Sequence, residues 1–140
     1  MGTETFSHLN WLAILVAGVA YFMLGGLWYS KILFGNSWIK LSNINMNDPN
    51  AKKGVGQIMF ASFLLMLVAT IGLALLLSKV ELSNWMSGAK VGLIAGICFS
   101  ATSICITFLY EKRPMALHLI NAVYHIAGCV LAGIILTLWK

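Results

Sequence analysis

Charged residues are scarce in this chain. Only 9% of its 140 residues are charged, whereas an average soluble domain carries roughly 25%. A soluble domain needs polar side chains on the outer face of most of its elements, and so few charges do not cover such a surface. Together with a hydrophobic fraction of 60%, this scarcity excludes a soluble fold and predicts an integral membrane protein.

Carboxylates are rarer still, and none lies inside a long apolar run. The four occur in loops or at boundaries, at Glu4, Asp48, Glu81 and Glu111. They are spread over both sides of the predicted membrane in loops or at boundaries, and we assign none of them to an acid and base pair. Glycine-rich phosphate loops and nucleophile elbows are missing as well. We therefore assign no catalytic residue, expect no cofactor, and regard an enzyme as the least favoured class.

Clusters of basic residues and of cysteines are also missing. The net charge is +5, but the basic residues stand singly or in pairs, so we expect no nucleic-acid partner. Cys98 and Cys105 lie roughly 10 Å apart by helical rise, too far for a disulfide or for a single metal ion. With Cys129 in another apolar run, we predict three reduced packing residues and no metal site.

The chain does have four long apolar runs, at residues 11–29, 55–77, 89–110 and 115–138. As helices of about 19 to 24 residues they are about 28 to 36 Å long, enough to cross a hydrocarbon core of about 30 Å. Lipid offers the backbone no hydrogen-bond partner, and unbroken apolar runs do not fit the alternation of barrel strands. The sequence predicts an all-α membrane bundle of four helices in a single domain, residues 1–140.

The connections between these runs predict the orientation. Residues 30–54 begin with apolar side chains interleaved with Lys31 and Lys40, which predicts a short helix in the membrane interface. Six basic residues lie in the first and third connections, at Lys31, Lys40, Lys52, Lys53, Lys112 and Arg113. The other side has three, at Lys79, Lys90 and Lys140. The positive-inside rule then places both connections in the cytoplasm and both termini outside.

Small residues recur every four positions in the third run, at Gly88, Gly92, Gly96 and Ser100. This spacing puts one narrow groove along a single helix face, where another helix can approach closely. Two interpretations stay open. The groove is either a seam between copies in a homo-oligomer or an ordinary contact within the bundle.

Polar residues form a stripe in the fourth run. His118, Asn121, His125 and Cys129 are spaced by three, four and four residues and so share one helix face. Polar groups at membrane depth are costly unless they are paired. They are either satisfied by hydroxyl groups of the third helix, at Ser100, Thr102, Ser103 or Thr107, or they form a polar track for a proton, a metal ion or a small solute.

A motif closes the first run and continues beyond it. It consists of Gly25, Gly26, Leu27, Trp28, Tyr29 and Ser30, then Leu33, Phe34 and Gly35, and finally Trp38. This pattern resembles the hallmark of a family of small bacterial four-helix membrane proteins, the domain of unknown function 1761. The resemblance implies a bacterial cytoplasmic (inner) membrane and no established activity. We interpret the motif as a joint: the two glycines allow close packing or a bend, and Trp28 and Tyr29 anchor at the lipid headgroups.

Three classes of function remain, and a membrane enzyme is the least favoured of them. The favoured one is a structural or assembly subunit that self-associates, with membrane lipid and further copies of itself as partners. The alternative is a small transporter or channel that passes a small solute or an ion along His118, Asn121 and His125. Transport requires this stripe to face a cavity or an oligomer axis, whereas assembly requires Gly88 and Gly92 to lie at a subunit contact.

Overall fold

The structure, a computed structural model, describes residues 3–139. Within that range four helices are long and apolar enough to cross a membrane, and we call them the first to fourth spans. They are Trp11–Trp28, Val55–Leu77, Trp85–Tyr110 and Met115–Leu138. Two short helices, Glu4–Ser7 and Gly35–Leu41, lie before the first span and between the first and second. The predicted fold class, a helical membrane bundle with a short helix after its first member, is confirmed.

Asparagine side chains fix where two of the spans begin. Asn10 accepts a hydrogen bond from the backbone N–H of Ala13 (3.0 Å), and Asn84 accepts one from Ser87 (3.2 Å). Each satisfies a donor that the first turn of a helix leaves free. The third span therefore begins at Trp85, before residue 89, where the apolar run itself begins.

The fourth span is the centre of the bundle. It packs against the first span on one side and the third on another, and the second span packs mainly against the first. Residues 29–54 and 111–114 connect the spans at one end of the molecule, which we call the basic end because it carries Lys31, Lys40 and Arg113. Near the opposite end, small and aliphatic side chains such as Ala17, Leu73 and Ala132 form a closely packed core.

The glycine groove of the third span is filled by the fourth span. A Cβ added at Gly88 would meet the carbonyl oxygen of Gly133, and one added at Gly92 would meet that of Cys129. At Gly96 it would lie 2.7 Å from the Cα of Ile126. Of the two interpretations of this groove, the structure shows contact within the bundle.

The third span changes its winding where the close packing ends. Residues Gly96–Ala101 form a π-helical turn inside the otherwise α-helical span. Such a turn adds a residue to the helical repeat and rotates the side chains that follow, and it is frequent at functional sites. Here it contains Ser100, the last residue of the small-residue series. Ser100 lies against the cavity described next.

Candidate functional site: a tyrosine-lined cavity

A cavity of about 330 Å³ lies in the half of the bundle nearest the basic end. All four spans contribute to its wall, which consists of Tyr21, Tyr29, Ser62, Leu65, Met66, Ala69, Ser100, Tyr124 and His125. Five of these described residues carry a hydroxyl group, one carries an imidazole, and none of them is charged. The wall therefore combines a few hydrogen-bonding groups with a mostly apolar surface and carries no fixed charge.

A tyrosine of the first span and a histidine of the fourth form the deepest polar contact of this wall. The hydroxyl oxygen of Tyr21 lies 2.5 Å from Nδ1 of His125, and Tyr21 is only 3% exposed. His125 lies well inside the fourth span, about 15 Å along the helix axis from its start at Met115. The pair thus occupies a depth at which unpaired polar groups are costly.

Two further hydrogen bonds join the same two spans nearer the basic end. Tyr29 donates its hydroxyl proton to Oδ1 of Asn121 (2.5 Å), and the indole N–H of Trp28 donates to the carbonyl oxygen of Ile120 (3.0 Å). The hydroxyl of Tyr124 donates back to the carbonyl oxygen of Tyr21 (3.0 Å). Polar contacts therefore run along the interface between the first and fourth spans in the half of the bundle nearest the basic end.

Glycines make room for the buried tyrosine rings. A Cβ at Gly25 would lie 2.6 Å from the hydroxyl oxygen of Tyr124, and one at Gly128 would lie 2.6 Å from Cε1 of Tyr21. The rings of Tyr21 and Tyr124 meet edge to face, with centroids 5.6 Å apart, a favoured arrangement for aromatic pairs. Gly25 therefore serves close packing, as the motif predicted, whereas Gly26 faces open space.

Of the four hydroxyls predicted as partners of the polar stripe, only Ser100 contacts a stripe residue, Cys129, and the prediction is wrong for the other three. The hydroxyls of Thr102, Ser103 and Thr107 donate to carbonyl oxygens of their own helix, at 2.7, 2.6 and 3.1 Å. A hydroxyl in a helix reaches the carbonyl four residues back, and this local bond competes with bonds to a neighbouring helix. The partners of Asn121 and His125 are instead tyrosines of the first span.

The stripe itself divides in two. His125 lies on the cavity wall, and Cys129 lies next to it in the fourth span, with its sulfur 3.9 Å from the hydroxyl oxygen of Ser100. His118 is buried, at 3% exposed, and packs edge-on against Phe108 with ring centroids 5.4 Å apart. It does not belong to the cavity wall, so the predicted track does not include His118 as a lining residue.

The aromatic residues of the motif pack against one another at the basic end. The rings of Trp28 and Phe34 are 4.8 Å apart, and those of Tyr29 and Trp38 are 5.6 Å apart. The polar atoms of Trp28 and Tyr29 are bonded to the fourth span, while both side chains stay partly exposed, so anchoring at lipid headgroups stays a prediction. The motif holds the chain that leaves the first span against the fourth span.

Gly35 is the tightest point of this joint. Its backbone N–H donates to the carbonyl oxygen of Ser30 (2.9 Å), and the N–H of Phe34 donates to that of Trp28 (3.0 Å). A Cβ at position 35 would meet the carbonyl oxygens of Tyr29 and Ser30. The side chain of Ser30 donates to the carbonyl oxygen of Leu27 (2.7 Å), which closes the end of the first span.

Metal-ligating side chains do not gather at this site. Within residues 3–139 no three His, Cys, Asp or Glu residues come close enough to hold one ion. All three cysteines are free. The chemistry that the wall offers is hydrogen bonding, proton exchange at one imidazole and contact with aromatic rings.

Sequence reasoning missed Tyr21, Ser62 and Met66 as members of the site. A signal for Tyr21 exists, since Tyr21, Gly25 and Tyr29 recur every four residues in the first span. That spacing places them on one helix face. Ser62 and Met66 are also four residues apart and so share one face of the second span. Nothing in the sequence indicates that this face and the Tyr21 face of the first span line the same cavity.

Four apolar helices of membrane-crossing length define a multi-pass helical membrane protein. The chain belongs to the DUF1761 family, described as a protein of unknown function, whose family model matches residues 12–137. That range contains the motif, the glycine groove and every residue of the cavity wall. No curated protein and no solved structure matches the chain.

Proposed function

We propose that the protein is a small membrane transporter or channel and that the cavity is part of its path. The pair of Tyr21 and His125 carries this proposal, because it presents a titratable group on the wall of a cavity at membrane depth. Ionisable residues inside membrane spans are candidates for proton or solute pathways. Contact of the polar stripe with a cavity is also the condition that separates transport from a purely structural role.

Self-association is the second candidate, and it rests on a different surface from the one the sequence indicated. The glycine groove of the third span is occupied by the fourth span and leaves no support for a seam between copies there. The outward face of the third span does support one, because Cys98, Thr102 and Ser103 are exposed on it. In a monomer this face contacts membrane lipid, and in a homo-oligomer it contacts a second copy.

The orientation completes the proposal. With the basic end in the cytoplasm, both termini are outside, and the cavity lies in the cytoplasmic half of a bacterial inner membrane. We therefore expect activity from a reporter enzyme that functions only outside the cytoplasm when it is fused after Lys140. Activity of a reporter that functions only in the cytoplasm would contradict this orientation.

Flux through proteoliposomes tests the transport proposal. We expect the wild type to pass protons, followed with a trapped pH-sensitive dye, or urea or methylammonium, followed by light scattering. His125→Gln retains a hydrogen-bonding side chain at the wall but removes the titratable ring, so flux should fall at least about tenfold while thermal stability changes little. His118→Gln is the matched control, because His118 lies on the same stripe but not on the cavity wall, and its flux should equal that of the wild type.

Two results would contradict the transport proposal. One is the absence of flux of all three probes in wild-type vesicles, and the other is equal flux in the wild type and His125→Gln. Self-association is tested separately by oxidative cross-linking of native membranes. A cross-linked dimer that disappears in Cys98→Ser supports a homo-oligomer through the third span, and a monomer under conditions that oxidise exposed thiols contradicts it.

A further inference from the structure

A second cavity, of about 310 Å³, lies at the end of the bundle opposite the basic end, and we call it the distal cavity. His8 and Asn10 line it beside the start of the first span, and Ala13, Ala74 and Leu136 line it within the spans. The first, second and fourth spans thus contribute to its wall, and the same three spans contribute to the wall of the tyrosine-lined cavity. One interface between three helices therefore contains both cavities.

The two cavities are aligned along this interface. In the first span Ala13, Ala17 and Tyr21 recur every four residues and so share one helix face. Ala13 lines the distal cavity and Tyr21 lines the tyrosine-lined cavity, so Ala17 lies between them. Leu73 of the second span and Ala132 of the fourth lie in the same way between wall residues of the two cavities.

Three buried side chains close the interface between the cavities, those of Ala17, Leu73 and Ala132, and we call them the barrier. They pack together in the aliphatic core and are 0%, 5% and 1% exposed. None of these three residues lines either cavity. The distance from Ala13 to Tyr21 is about 12 Å by helical rise, or about two helical turns. The barrier is therefore thin in comparison with a hydrocarbon core of about 30 Å.

The three spans contribute unequally to the barrier. The first and fourth spans contribute alanines, whereas the second contributes the larger side chain of Leu73. The first and fourth spans are joined by hydrogen bonds from Trp28 and Tyr29. In the second span the buried hydroxyl of Thr70 donates to the carbonyl oxygen of Met66 in its own helix, at 2.7 Å, and so gives no proton to a neighbouring span. A displacement of the second span therefore removes the largest side chain of the barrier and breaks none of these bonds.

Apolar constrictions of this kind exclude water and ions until they widen. We propose that the barrier is a gate, closed in this structure, and that movement of the second span with Leu73 joins the two cavities into one path through the membrane. The inference rests on the proposed function, since it adds the distal half of the path and the point at which the path closes. It predicts that shortening the side chain of Leu73 opens the path.

The reaction of an introduced thiol tests the barrier without any assumption about transport. Ala17→Cys, in a chain whose three native cysteines are replaced by alanine, should react slowly in detergent with a small water-soluble methanethiosulfonate. Adding Leu73→Ala should raise the reaction rate at least about tenfold, because water and reagent then reach position 17. Ser78→Cys, at an exposed position on the wall of the distal cavity, should react rapidly with and without Leu73→Ala.

Leu73→Ala also removes packing from a buried core, so the unfolding temperature of each variant is measured to show that it remains folded. Leu73→Val is a milder truncation and should raise the reaction rate of Ala17→Cys by a smaller factor. Leu76→Ala is the matched control. It makes the same truncation in the same span at a side chain that is 50% exposed, so the reaction rate should not change.

Flux through proteoliposomes tests whether the gate lies on the transport path. We expect Leu73→Ala to pass urea or methylammonium at least about fivefold faster than the wild type, because the constriction limits passage. Leu76→Ala should match the wild type. His125→Gln should lower the flux of Leu73→Ala as it lowers that of the wild type, since the gate and the tyrosine-lined cavity act in series.

The outcomes distinguish the gate from the transport proposal. Rapid reaction of Ala17→Cys without Leu73→Ala, or slow reaction with it in a folded protein, overturns the gate. Equal flux in the wild type, Leu73→Ala and Leu76→Ala also overturns it, and wild-type flux that depends on His125 then leaves the transport proposal intact. A leak in Leu73→Ala that His125→Gln does not reduce overturns the single path through both cavities. Absence of flux in every variant contradicts transport, while the thiol reaction still decides whether the barrier separates the cavities.

Discussion

Replacement of Gly92 by alanine is the sharpest test of how the third and fourth spans pack. A Cβ at this position would meet the carbonyl oxygen of Cys129 and lie 2.8 Å from its carbonyl carbon and 2.9 Å from the Cα of Val130. All three atoms belong to the backbone of a helix, which cannot move aside as the end of a flexible side chain can. A single methyl group must therefore push the two spans apart.

The expected magnitude follows from two opposing effects. Overpacking of a close contact costs about 1 to 3 kcal/mol, while alanine is a better helix former than glycine by up to about 1 kcal/mol. With the full gain in helix propensity subtracted, the net destabilisation by Gly92→Ala should be about 0 to 2 kcal/mol. Gly72→Ala is the matched control, because among the described residues no atom comes within 4 Å of a Cβ there. It should be neutral or slightly stabilising.

Unfolding of both variants in detergent, followed by tryptophan fluorescence, measures the difference. Both substitutions gain the same helix propensity, so their difference in free energy of unfolding isolates the packing cost. We expect Gly92→Ala to be less stable than Gly72→Ala by about 1 to 3 kcal/mol. Equal stability of the two variants would refute the contact between the third and fourth spans.

Two further predictions concern the basic end. Gly35→Ala should open the joint after the first span, because its Cβ would meet backbone carbonyl oxygens. We expect faster proteolysis within residues 36–54 in this variant than in the control Gly56→Ala, where the added Cβ meets open space. Equal cleavage rates in the two variants would contradict this. Tyr29→Phe leaves Oδ1 of Asn121 without its donor and should lower the free energy of unfolding by about 0.6 to 1.7 kcal/mol, whereas Tyr110→Phe, at a side chain that is 87% exposed, should leave it unchanged.

Hydropathy was sufficient to predict the fold, because the thickness of the bilayer fixes the length of a spanning helix. The four spans end within one residue of the estimates, and the one early start, at Trp85, depends on a cap that hydropathy does not detect. The four-residue spacing of Gly88 and Gly92 also predicted a groove correctly. It did not identify the partner, because any helix with a small-residue face fits such a groove.

The site was harder to predict, because its residues have more than one use in a membrane helix. Tyr29 near the end of an apolar run is typical of an interfacial anchor, and only the position of Asn121 on the facing span shows that it is a donor within the bundle. Thr107 looked like a partner for a histidine, but its hydroxyl is satisfied by its own helix. The π-helical turn that contains Ser100 has no signature in residue spacing.

The packing of the spans also predicts which wall of the cavity moves. The first and fourth spans are joined by hydrogen bonds from Trp28, Tyr29 and Tyr124 and by glycines that receive tyrosine rings. The second span contributes Ser62 and Met66 to the wall. Ser62 donates to its own backbone, and Met66 makes only a weak contact with the fourth span, from the Tyr124 hydroxyl to its sulfur at 3.8 Å. The second span is therefore held to its neighbours mainly by side-chain packing.

We therefore expect the second span to be the mobile wall. Spin labels at Val68 of the second span and Val123 of the fourth, both exposed, should give a broad distance distribution. Labels at Val19 of the first span and Leu119 of the fourth, also exposed, should give a narrow distribution, because hydrogen bonds fix that interface. Equal widths for the two label pairs, or a broader distribution for the pair on the first and fourth spans, would contradict this assignment.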